Sequence, residues 1–185
     1  MTIRRALAAL VTASVLPAIA GCGGAQHQKT STGTLPASLT LRVRNVSYAN
    51  LGLEFAQPLG WARSRRGGAI LVRSNDRTTA VAISSPTQGD FARLVAADSV
   101  RTLLRDYAPA RVIARRAGRL GRVPVKTTEI VGATRTGRGI RILALAAATH
   151  WRTYSVQLFS DLRPTLARLA EARALLGSLV LFKPR

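Results

Sequence analysis

Apolar and polar residues alternate early in the chain. Leu39, Leu41 and Val43 alternate with Thr40, Arg42 and Arg44, the period of two expected of a strand with one buried face. Leu51 to Ala56 predicts a second short strand, stopped by Pro58 and Gly60. Ala69–Val72 and Thr79–Ser84 are short runs rich in Ile and Val, with the turn-forming Ser74-Asn75-Asp76 between them, and they predict a hairpin. From Asp90, expected to cap it, a helix follows in which Phe91, Leu94, Val95, Val100, Leu103, Leu104 and Tyr107 form the apolar face. Arg93, Arg101 and Arg105 are expected on its other side, and Pro109 ends it. Arg111–Ala114 and Val123–Val131 are expected strands joined by a Gly118-Arg119-Leu120-Gly121 turn. Gly132–Gly139 is another turn. Ile140–Ala148 and Trp151–Phe159 are two strands meeting near His150, or one continuous strand, since no Gly or Pro marks the junction. Asp161 is expected to cap a last helix from Leu162 to about Leu176, with Pro164 in its first turn. Ser178–Phe182 closes the chain as a short strand or extended tail.

Consecutive strands with short connections pair antiparallel, and each amphipathic helix must bury its apolar face against them. The expected fold class is therefore α+β, an antiparallel sheet covered by helices. At 185 residues the chain is long enough for one such domain, placed at 37–185. Apolar residues make up 47% and aromatics only 5%, so the core must be built mostly from Ala, Val, Leu and Ile.

The first residues set the compartment. Arg4 and Arg5 precede an apolar run from Ala6 to Ala20 that is interrupted by Pro17. That run is too short to span a bilayer and reads as a secretory leader. Its end, Ala18-Ile19-Ala20-Gly21-Cys22, resembles the lipobox of bacterial lipoproteins, with Ile19 where that motif usually has Leu. The resemblance implies cleavage before Cys22, the only cysteine in the chain, and a diacylglycerol on its sulfur. Residues 1–21 are then the signal peptide and 22–36, rich in Gly, Ser, Thr and Gln, a flexible tether. The implied location is outside the cytoplasm, anchored to the cell membrane or the outer membrane by the N-terminal lipid.

Gly52-Leu53-Glu54-Phe55-Ala56-Gln57-Pro58-Leu59-Gly60-Trp61 resembles the opening of PsbP-like domains, a short strand followed by Pro, Gly and Trp. The order of elements after it is similar too, so the resemblance covers roughly Tyr48 to Phe182. It implies an α/β/α sandwich around an antiparallel sheet. It also implies binding or accessory work, as in photosystem II extrinsic subunits and a yeast Ran-release factor. It supplies no catalytic residue. Trp61 is expected to be a core anchor.

Little in the chain suggests chemistry. Gly132–Gly139 superficially resembles a phosphate loop, but Arg138 stands where Lys should be and Gly139 where Ser or Thr should hold magnesium; a hairpin turn fits better. The one histidine outside the tether is His150, and there is no Gly-x-Ser-x-Gly elbow. The eight acids form no carboxylate pair or calcium loop that the sequence can vouch for. No catalytic residue, cofactor or metal site is expected. The alternative, an envelope hydrolase or transferase, would need a cleft joining His150 to an acid and a hydroxyl.

Charge remains. Lys and Arg number 28 against 8 acids, a net charge of +20, which favours anionic partners. Nucleic acid is not expected, because aromatic stacking platforms are not interleaved with the basic residues. Arg115, Arg116, Arg119 and Arg122 flank a predicted turn and are the candidate contact with anionic lipid headgroups; the alternative is that arginine, which far outnumbers lysine along the whole chain, reflects composition alone. An envelope protein is the other expected partner. Arg63, Arg65 and Arg66 are expected in a separate loop.

Overall fold

The computed structural model of the chain describes residues 41–185. Leader, tether, Cys22 and Leu39 lie outside the described residues. Two antiparallel sheets organise the rest. The smaller pairs β1 (Val43–Tyr48) with β2 (Leu53–Pro58), and β2 with β10 (Val180–Leu181). The larger has seven strands: β3 (Ala62–Arg66), β4 (Ala69–Arg73), β5 (Thr79–Gln88), β6 (Arg111–Leu120), β7 (Val123–Ala133), β8 (Gly139–Ala148) and β9 (Arg152–Asp161). Their order across the sheet is β3-β4-β5-β9-β8-β7-β6. Helix α1 (Ala92–Asp106) packs on β8 and β9. Helix α2 (Leu166–Gly177) packs on β2, β5 and β6. The result is the expected α+β layering, with the large sheet in the middle.

Alternation along the strands makes two cores. On the α2 face, Val81 and Ile83 of β5, Leu145 and Ala147 of β8, and Tyr154 and Val156 of β9 meet Phe55, Ala172 and Leu175. On the α1 face, Ile130 of β7 and Ile142 and Ala144 of β8 meet Leu103, with Val100, Leu104, Tyr107 and Phe159 around them. Trp61 is 3% exposed and belongs to the first core. Its indole N–H donates to Glu171 Oε2 at 3.0 Å. Glu171 also accepts from Arg168, whose Nε reaches Asp76. The Ser74 hydroxyl, then Arg168 and the Thr78 N–H, hold the Asp76 carboxyl far below the usual carboxylate range.

Several boundaries differ from expectation. The first strand begins at Val43, and its buried apolar residue is Val46. Arg63, Arg65 and Arg66 lie in an edge strand, β3, paired with β4, and not in a loop. Strand β5 continues past Ser84 to Gln88 through a bulge that contains Pro86; this stretch has no β4 partner, so the missing N–H is tolerated. Helix α1 starts two residues after Asp90, with Phe91 at the cap position, but Asp90 Oδ1 still accepts from the Ala92 N–H at 3.4 Å. Helix α2 starts at Leu166, capped by Thr165 Oγ1, which accepts from the Arg168 N–H at 3.2 Å. Asp161 instead ends β9 and pairs with Arg138. Strands β8 and β9 form a hairpin, not one continuous strand, and β10 is the expected closing strand.

The expected α1 face is also wrong at its start. At about 100° per residue, Leu94 sits about 180° round the helix from Leu103. Accordingly Leu94 is 67% exposed and Phe91 49%. The same geometry turns Ala92, Ala96 and Ser99 towards the sheet, and Ser99 Oγ lies 3.1 Å from Ser155 Oγ.

Candidate functional site

Small residues beneath the first half of α1 leave space there. Ala144, Ala146 and Ala148 alternate on the α1 face of β8, and Ala92 and Ala96 face them from the helix. Bulky residues seal the other half of the helix against the sheet. Where they stop, a groove of about 720 Å³ opens between α1 and strands β6, β7 and β8. A second hollow of about 440 Å³ extends along the start of the helix and shares Arg93, Ala96 and Lys126 with the first. Ligand sites of this size are commonly apolar with a few polar groups.

The edge strand supplies the charge. Residues paired in register share a face, so Arg115, Ala117 and Arg119 stand with Thr128, Lys126 and Pro124 on the α1 side. Arg115, Lys126 and, from the helix, Arg93 line the groove. All three are exposed at its mouth, while Ala144 on the floor is buried. Arg116 and Leu120 belong to the opposite face: Leu120 is in the α2-side core, and Arg116 also borders a hollow beside Arg141 and Arg173. The four expected arginines are therefore split. Arg115 and Arg119 share the α1 face, Arg116 straddles the edge, and Arg122 sits in the two-residue turn Gly121-Arg122.

That turn is shorter than expected, because pairing continues to Leu120 opposite Val123. It is also held firmly. The Gly121 N–H donates to the Leu176 carbonyl at 3.3 Å, and a Cβ at Gly121 would fall 1.8 Å from Leu179 O. Arg119 Nη2 donates to the Arg122 carbonyl at 2.9 Å. Among the described residues, no acid lies within ion-pair distance of Arg93, Arg115, Arg119, Arg122 or Lys126. The Arg135–Arg141 segment differs: Arg135 and Arg138 lie in the β7–β8 turn and Arg141 in β8, with Arg138 paired to Asp161 and Arg141 to Glu129.

Arg93 and Lys126 were missed as members of this group. Arg93 lies one turn from the sheet-facing Ala96, a placement that only a correct helix phase would reveal. Lys126 required the β6–β7 register. His150 is exposed in the β8–β9 turn and stacks edge-on against Trp151 at 5.1 Å. Among the described residues no acid pairs with it, so the constellation required by the hydrolase alternative is not assembled.

No family model matches the sequence, and neither does any curated protein. Solved structures do match in shape. The cyanobacterial PsbP of Synechocystis superposes with a TM-score of 0.57 at 14% identity, covering 82% of this chain and 99% of that one. A Mog1 variant gives 0.53 at 9% identity, covering 77% and 97%. A protein from Bacteroides thetaiotaomicron gives 0.53 at 15% identity over 76% of this chain, which spans only 48% of that longer one. At these identities the likeness shows the fold, and the fold is PsbP-like.

Proposed function

We propose that this protein is an exported lipoprotein, anchored through Cys22, whose PsbP-like domain is a non-enzymatic binding or accessory module working against an anionic membrane surface. The observation that carries the reading is the group Arg115, Arg119 and Lys126 on one face of one sheet edge, joined by Arg93 from α1, with no acid paired to it among the described residues. In this reading lipid and basic surface together supply the two signals that stable attachment usually takes. Each basic residue near an anionic surface contributes about 1 kcal/mol, within a Debye length of about 8–10 Å. A tether keeps the domain at high effective concentration there, so weak contacts matter.

The test is co-sedimentation of residues 22–185 carrying Cys22→Ala with vesicles containing phosphatidylglycerol. Binding should weaken as salt rises. Replacing Arg115, Arg119 and Lys126 together with Gln should weaken it well beyond the same change at Arg101, Arg135 and Arg163. Equal loss in the two triple variants would make the charge a bulk property and remove the site.

A further inference from the structure

We infer that the groove beside α1 receives a single anionic phospholipid, its acyl chain along the alanine floor and its phosphate at the cationic mouth. The inference rests on the membrane reading above and adds to it that the domain takes up a lipid molecule, where surface contact alone would leave the groove empty.

Three features carry it. The first is the division of chemistry within one cavity. Val100 and the buried Ala144 lie at its floor, while Arg93, Arg115 and Lys126 stand exposed at its rim. A bare anion would use the rim and have no need of the floor. A neutral apolar ligand would use the floor and leave the cations idle. An amphiphile uses both, and guanidinium groups suit phosphate oxygens through paired N–H donors.

The second feature is the charge balance. No acid lines the groove of about 720 Å³, and the single acid along its extension is Asp90, at the start of the helix. A cationic head would be repelled by the rim, and a zwitterionic one would add an ammonium group with little there to pair it.

The third is how the space arises. Ala96 on the helix faces Ala144 and Ala146 on the sheet, at positions where Leu103, Ile130 and Ile142 close the gap elsewhere. Interiors are normally packed to crystal-like density. An unfilled layer open to solvent at a charged rim is therefore a place for a guest.

The experiment titrates residues 22–185 carrying Cys22→Ala, the chain without leader or lipid, by calorimetry with lysophosphatidylglycerol below its micelle-forming concentration. Parallel arms use lysophosphatidylcholine of the same chain length and glycerol 3-phosphate. The expected result is saturable binding of one lysophosphatidylglycerol per protein, at least tenfold weaker binding of the choline lipid, and no saturation by glycerol 3-phosphate. Ala96→Leu from the helix and Thr128→Ile from the strand each fill the groove without touching its charges. Each should weaken binding at least tenfold while the melting temperature is unchanged, and Arg115→Gln with Lys126→Gln should do the same. Equal binding of glycerol 3-phosphate would make this a bare anion site, and equal binding of the choline lipid an unspecific apolar contact. Either overturns the inference, as does unimpaired binding by both filled variants. Vesicle association without uptake of the monomeric lipid would overturn this inference alone and leave the surface-binding function standing.

Discussion

Trp61 ties three parts of the chain together. Its ring is buried in the α2-side core, its carbonyl accepts from the Gln57 side-chain amide, and its indole N–H reaches Glu171 on α2. Truncation of a buried aromatic costs about 3–5 kcal/mol, so Trp61→Ala should lower the unfolding free energy by about that amount in a denaturant titration. A change below about 1 kcal/mol would put the ring at the surface. The burial of Trp61 was legible from the short Pro-Leu-Gly-Trp motif. Its partner Glu171, 110 residues away, was not, because nothing local in the sequence joins the start of the domain to its last helix. The ladder from Trp61 through Glu171 and Arg168 to Asp76 is tertiary in origin.

Elements were easier to foresee than their ends or their faces. Strands β4, β5, β7, β8 and β9 stood out because alternation or β-branched runs mark them. Strand β3 was hidden. Its sequence Ala-Arg-Ser-Arg-Arg is exposed throughout and has no apolar period. The second half of β6 was hidden for the same reason. Both are the outer strands of the large sheet, and arginine there discourages edge-to-edge pairing with other chains. Part of the basic excess thus has a structural use at β3, while at β6 it also borders the groove. Turn chemistry gives a sharp test of how that edge is held. Gly121 and Gly137 both have positive φ, +56° and +79°, but a Cβ at Gly137 meets nothing within 4 Å, whereas one at Gly121 strikes Leu179 O. Gly137→Ala should cost about 1 kcal/mol, the cost of the left-handed backbone alone. Gly121→Ala should cost clearly more in the same denaturation assay. Equal costs would mean that the β6–β7 turn is not clamped to the end of α2.

At the scale of the whole molecule, the two faces of the large sheet are unlike. The α2 face holds most of the fully buried large side chains, among them Tyr154, Phe55, Ile83 and Leu175. The α1 face closes only at one end, under Leu103, and opens at the other onto the basic edge. One face therefore carries stability, and the other has room to bind. The anchor makes its own prediction: Cys22→Ala should stop both lipid attachment and removal of residues 1–21. A variant that stays with membranes and still loses those residues would refute the lipoprotein reading. The claim that the α1 face meets the membrane is tested most directly by hydrogen exchange followed by mass spectrometry, with and without phosphatidylglycerol vesicles. Slower exchange is predicted in Arg111–Lys126 and in the first half of α1, with none in β3, whose arginines Arg63, Arg65 and Arg66 are just as exposed. Protection centred on β3, or spread evenly over every basic segment, would contradict the account.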